Sequence, residues 1–184
     1  QRYTAYVTGA WDMKVWKSDF FGNWDNAMGS AVDGDGSESG TLVTSNAQAF
    51  QSPEAGYYTV SIDFSTLSYK WTKLENQTPT EYTYISLAGG FNGWGDTDMT
   101  QVSNSNTHNW YISNLEIAEA SEFKFKANHD WTVNWGSDVD LTKTYFGVGA
   151  QNGSNIVLPA GTYNIYFNDI TGQFVVEAVE AAQL

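Results

Sequence analysis

Pro159-Ala160-Gly161-Thr162-Tyr163-Asn164-Ile165-Tyr166-Phe167 reads as a turn opening into a strand, and it decides the fold. Apolar residues alternate with polar ones from Thr162 onward, the two-residue period of a strand with one buried face. The same order occurs earlier as Pro53-Glu54-Ala55-Gly56-Tyr57-Tyr58-Thr59-Val60. Working outward, Gly29-Ser30-Ala31-Val32-Asp33 answers Gly136-Ser137-Asp138-Val139-Asp140, and Phe20-Phe21-Gly22-Asn23-Trp24 answers Trp131-Thr132-Val133-Asn134-Trp135. Upstream, Met13-Lys14-Val15-Trp16 stands where Phe123-Lys124-Phe125-Lys126 does. Four matches in one order mean an internal repeat.

The expected fold is therefore all-β: two tandem immunoglobulin-like β-sandwiches, with short strands punctuated by Gly, Asn, Asp and Ser. The second copy opens with Thr83-Tyr84-Ile85-Ser86-Leu87-Ala88-Gly89-Gly90-Phe91-Asn92-Gly93-Trp94, for which the first copy has no counterpart. The first sandwich is thus expected to lack its first strand. Residues 1–76 are assigned to the first domain, 77–79 to a polar linker containing Pro79, and 80–184 to the second. The chain opens Gln1-Arg2-Tyr3, without an initiator Met or a signal peptide, and is expected to be a piece of a mature protein whose anchor lies outside it.

Composition narrows the function. Eight Lys+Arg stand against 21 Asp+Glu, a net charge of −13. No basic stripe interrupts that excess, so nucleic acid is excluded as a partner. There is no Cys, hence no disulfide framework, and no apolar run long enough to span a membrane. Aromatic residues reach 16%, with 8 Trp. A core of this size does not need that many indoles, so some are expected at the surface.

Exposed Trp amid Lys, Asn and Asp is what a sugar site requires. A sugar ring presents an apolar C–H face to a flat aromatic plate, while its hydroxyls take charge-assisted hydrogen bonds at the rim. Glycines bracket Trp94, placing it on a tight turn. Alternation along Phe123-Lys124-Phe125-Lys126 turns both Phe rings inward and both lysines outward. Asn128, His129, Asp130 and Trp131 follow in the adjoining loop. Trp94, Trp131, Lys124, Lys126 and Asn128 are the candidate glycan-binding residues. Trp110 is expected in the core.

Three segments, Tyr84–Trp94, Glu122–Gly136 and Leu158–Asp169, together resemble the C-terminal domains of SusE/SusF-type proteins, surface lipoproteins of bacterial starch-utilisation systems. The resemblance covers residues 80–180 and, more weakly, 3–75. It implies capture of a starch-like α-glucan between two aromatics, matched here by Trp94 and Trp131. A basic residue completes the family site, and Lys124, Lys126 and Lys143 are all open for that role. It further implies an outer-membrane location and other proteins of a glycan uptake system as partners; the chain itself is expected to be a monomer. In the first copy, Trp16, Lys17 and Phe20 are candidates for a variant site.

Other chemistries find less support. Asp33, Asp35 and Ser37 alternate as calcium ligands do, but the loop lacks the glycine and closing glutamate of a calcium hand, so no metal is expected. The pairs Asp96/Asp98 and Asp138/Asp140 lie in polar turns with nothing apolar to raise one pKa, and His108 and His129 look isolated. The expectation is a binding protein without cofactor or catalysis; the alternatives are ligand-free spacer domains or a small glycosidase.

Overall fold

The structure, a computed structural model, describes residues 1–102 and 108–179. The chain forms two compact units, Gln1–Thr78 and Pro79–Leu184. Among the described residues the elements are strands and three short 3-10 turns. The fold is all-β, as the alternation implies.

In the first unit the strands are β1 (Arg2–Val7), β2 (Ser39–Thr41), β3 (Gly56–Asp63) and β4 (Ser68–Lys73), in sheet order β1-β3-β4-β2. The inward faces bury Val60, Tyr69 and Trp71 against Leu42 and Phe50. Opposite this sheet the chain runs irregularly, joined by the single bridges Met13–Phe50, Val15–Met28, Gly29–Val43 and Ser30–Gln48. Gln77, expected in a linker, is fastened to this unit. Its side chain accepts from Tyr57 N (2.8 Å) and donates to Tyr57 O (3.0 Å).

The second unit contributes β5 (Ile85–Gly89), β6 (Thr97–Asp98), β7 (Thr100–Gln101), β8 (Asn109–Ile117), β9 (Ser121–Ala127) and β10 (Asp130–Gly136). It continues through β11 (Phe146–Val148), β12 (Ala150–Gln151), β13 (Ile156–Leu158), β14 (Gly161–Asn168) and β15 (Gln173–Ala178). One sheet runs β12-β10-β9-β5-β6, with β13 also on β9; the other runs β11-β15-β14-β8-β7. Phe123 and Phe125 point from β9 toward Ile165 and Phe167 of β14, and the Phe125 and Phe167 rings stack 4.1 Å apart. Each such fully buried side chain stabilises the sandwich by about 1.5–3 kcal/mol. Trp110 is in this core as expected, and its indole N–H donates to Asp169 (2.7 Å).

Pairing registers confirm the repeat and correct one part of it. Gly56 at the start of β3 and Gly161 at the start of β14 have φ of 154° and 157°, a region L side chains avoid, which explains the glycine in both copies. β1 pairs with β3 (Val7 opposite Gly56) as β8 pairs with β14 (Ile117 opposite Gly161). The first strand of the first unit, β1, is thus the counterpart of β8. Met13 bridges Phe50 as Phe123 pairs with Ile156; Val15 bridges Met28 as Phe125 pairs with Trp135. The counterpart of buried Trp135 is therefore Met28, not Trp24. A longer loop before Met28 leaves Trp24 exposed on a 3-10 turn.

Candidate functional site

The turn after β5 is shaped by Asn92. Its side-chain oxygen accepts from Gly89 N (2.9 Å), and its amide donates to Leu87 O and to the Thr97 hydroxyl (both 2.9 Å). Those bonds tie β5 to β6 and force the intervening chain through Gly93 (φ 64°) and Trp94 (φ 63°). Glycine adopts that left-handed conformation freely; a tryptophan there is strained by about 1–2 kcal/mol. The outcome is an indole standing off the turn, 37% exposed.

Trp131 is presented differently. Asn128 (φ 51°) and His129 (φ 58°) link the paired residues Ala127 and Asp130, so β9 and β10 are joined by a two-residue turn of the mirror-image type that suits a hairpin. Immediately afterward the register jumps: Ala127 faces Asp130, yet Lys126 faces Asn134. Trp131, Thr132 and Val133 form a bulge, and bulges redirect side chains. Asp130 holds it by accepting from Thr132 N (2.7 Å), and Asn134 by donating to Trp131 O (2.8 Å). Trp131 is swung outward, 43% exposed, with its ring centre 6.1 Å from that of Trp94 and the planes at 50°.

Beneath this pair lies a buried charge. The Lys126 side chain is only 3% exposed, and its Nζ lies 4.6 Å from the centre of the Trp131 ring and 2.9 Å from Asp96 Oδ1. Asp96 also accepts from the Ser86 hydroxyl (2.7 Å). Burial alone would raise the Asp96 pKa; the bonds from Ser86 and Lys126 outweigh it and hold the carboxyl below its ordinary value. A buried lysine is stable only when paired this way. A desolvated cation against an indole adds about 2 kcal/mol.

The expected residues separate accordingly. Trp94, Trp131 and Lys126 come together. Lys124 points from the same face of β9, two residues along, and partial burial lowers its pKa. Asn128 is occupied as a brace: its side-chain oxygen accepts from Thr83 N (2.9 Å) and Tyr84 N (3.2 Å). Lys143 sits on the turn after β10, bound to Asp140 (2.6 Å). Asp96 and Asp98 are not a catalytic pair, because Asp96 serves Lys126 while Asp98 lies 2.6 Å from His129 Nε2. Nor is His108 isolated: it is buried with Nδ1 2.6 Å from Asp169 Oδ1. Sequence reading placed Asp96 in a solvated carboxylate pair and missed its contacts with Ser86 and Lys126 as well as the His129–Asp98 contact, which depend on the register between separate strands.

In the first unit, aromatic rings gather around Trp16. Phe21 and Trp24 meet it edge-to-face, with ring centres 5.9 Å and 5.0 Å away. The Trp16 N–H donates to Asn23 O (2.8 Å), fixing the indole. Lys14, rather than the expected Lys17, supplies the charge: its Nζ lies 5.5 Å from the Trp24 ring and donates to Ala47 O (2.8 Å). Phe20 is exposed on the adjoining turn, where Lys17 O accepts from Phe20 N (2.9 Å). In the acidic loop, Asp35 accepts from the Ser30 hydroxyl, Ser37 N and the Tyr69 hydroxyl, so it staples the loop. Among the described residues no group of three or more His, Cys, Asp or Glu is arranged to hold a metal.

Comparison with known proteins adds an independent line. Residues 3–73 match the family described as "SusF, first starch specific CBM", a carbohydrate-binding module. The outer membrane protein SusF of Bacteroides thetaiotaomicron is 29% identical over 169 residues, which cover 84% of this chain and 33% of that protein. The chain thus spans about a third of the length of this curated relative. The crystal structure of SusF from the same organism aligns over 97% of this chain and 42% of that one, at 19% identity and a TM-score of 0.37.

Proposed function

We propose, from the premise that this is a SusE/SusF-type chain, that it binds starch-like α-glucan without cleaving it. The observation that carries this reading is the Trp94–Trp131 pair: two half-exposed indoles inclined at 50°, with the ammonium of Lys126 against the Trp131 ring. Inclined plates suit a curved chain of sugar rings, whereas a flat chain favours coplanar ones. Asp96, partly exposed beside the plates, offers an acceptor to hydroxyls, while buried Lys126 holds that carboxylate and the Trp131 ring in place. Nothing in this arrangement activates a water or stabilises a leaving group; its chemistry is adsorption.

The first unit is the part that matches the starch-specific family, and Trp16, Phe21, Trp24 and Lys14 are its counterpart platform. Each site alone is weak, with a Kd on the order of 10 µM to 1 mM. Two sites on one polymer gain apparent affinity through effective concentration. The name of the relative supports an outer-membrane location at the cell surface. Partners are the polysaccharide and other proteins of a glycan uptake system, and the chain acts as a monomer.

The test is a titration with maltoheptaose followed by tryptophan fluorescence. Binding that is lost in Trp94→Ala with Trp24→Ala, at unchanged Tm, supports the reading. Silence of the wild type toward every α-glucan tried would overturn it. Half-exposed indoles also count against ligand-free spacer domains, whose tryptophans would be packed away.

A further inference from the structure

The outer face of the β5–β9–β6 sheet carries more than the tryptophan pair. Ser86 lies opposite both Lys126 and Asp98, so Tyr84, Ser86, Asp98 and Lys126 all project from one face. Tyr84 and His129 stack there with ring centres 4.5 Å apart and planes at 21°. Both are open to solvent: Tyr84 is 46% exposed and the His129 side chain 38%. His129 is fixed from two directions, by the left-handed hairpin turn and by Asp98 Oδ1 at 2.6 Å. Tyr84 is fixed through Asn128, which accepts from its backbone N–H. Two rings immobilised in advance at the surface form a second plate that costs little entropy to use.

Its place in the fold relates it to the first plate. Trp131 follows His129 by two residues, and Lys126 connects Trp131 to Asp96, which immediately precedes the strand that carries Asp98. Tyr84 precedes Ser86 by two residues, about 7 Å along the strand direction. The Trp94–Trp131 pair and the Tyr84–His129 stack are thus carried by neighbouring positions of the same strands and hairpin. With that stack come a phenol hydroxyl and the half-exposed Asp98 carboxylate, which complement a sugar's hydroxyls as the ring faces complement its C–H surface.

We propose that Tyr84, His129 and Asp98 form an extension subsite that accepts further glucose units of a chain already seated on Trp94 and Trp131. This rests on the glucan-binding reading above and adds to it a preference for longer chains. The packing that merely closes the hairpin would require neither ring to remain exposed.

The experiment compares maltotriose with maltoheptaose by titration calorimetry, on the full chain carrying Trp24→Ala so that the second unit reports. The variants are Tyr84→Ser and His129→Asn, the latter keeping a residue that tolerates the left-handed turn. The expected result is that the advantage of maltoheptaose over maltotriose falls about threefold to tenfold in each variant, while maltotriose affinity stays within twofold. Equal weakening of both sugars, or no change with either, would overturn the subsite while leaving glucan binding intact. Absence of binding in the parent chain would instead sink the underlying reading. Retained melting temperature, or rescue of the length preference by Tyr84→Phe, separates loss of the plate from loss of the fold.

Discussion

Lys126 Nζ lies 2.9 Å from Asp96 Oδ1 and 4.6 Å from the centre of the Trp131 ring, so one buried ammonium anchors a carboxylate and an exposed indole together. Removing that charge has two consequences of different kinds. Lys126→Met leaves the Asp96 carboxylate without its cation, at a cost of about 1–3 kcal/mol, below the penalty for a fully buried pair because Asp96 is partly exposed. It also frees Trp131, so glucan affinity falls. Lys126→Met with Asp96→Asn restores most of the stability but not the affinity. Chemical denaturation and calorimetry on the three variants check both halves.

Trp94 is strained where it stands, and strain at a binding residue trades stability for function. Trp94→Gly relieves the left-handed backbone and is expected to be more stable than Trp94→Ala by about 1 kcal/mol. With Trp24→Ala silencing the first unit, both variants lose maltoheptaose affinity about tenfold or more. Thermal melts beside titrations decide it; a glycine variant melting below the alanine one would contradict the strain.

Acid stability is expected to reside partly in Asp35. Hydrogen bonds from Ser37 and then Ser30 hold its pKa down to about 2, against about 3.9 for a free aspartate. An acid bound more weakly by protons in the folded state stabilises above the unfolded value, and that contribution disappears as pH falls toward 2. The first unit should therefore lose stability between about pH 4 and pH 2, and Asp35→Asn should flatten that limb. Urea midpoints across the range measure it.

The opposite trend is expected in the second unit. Burial pulls the His108 pKa down, but Asp169, and Glu81 at 3.3 Å, more than offset it, leaving the net value raised. Asp169 is itself raised, chiefly by its own burial. Stabilisation from a raised histidine is complete below about pH 6.5 and is lost as pH climbs through the higher folded value. The melting temperature of this unit should fall on moving from pH 6 to pH 9, and Asp169→Asn should remove the dependence while costing about 3 kcal/mol at pH 6.

Much of this was legible along the chain because its causes are local. Period-two alternation reports which face of a strand is buried, and it placed Phe123, Phe125, Ile165 and Phe167 inside. The glycines of Phe91-Asn92-Gly93-Trp94-Gly95 marked Trp94 as a turn residue, and it is one. Alignment failed where loop length intervened. Trp24 and Trp135 share an Asn-Trp motif yet occupy different positions, since bridge partners, not motif letters, define equivalence.

What the sequence by itself determined is the all-β architecture, the repeat and the identity of the two exposed indoles of the second unit, because backbone sterics and burial act between near neighbours. Only the tertiary structure decided which charge joins them. Lys124, Lys126 and Lys143 have the same chemistry, and the choice among them depends on β5 lying between β9 and β6, which brings Asp96 to Lys126 from 30 residues away. It equally decided that a three-residue bulge turns Trp131 outward and that Tyr84 stacks on His129. Strand order and register are long-range properties, and no local pattern encodes them.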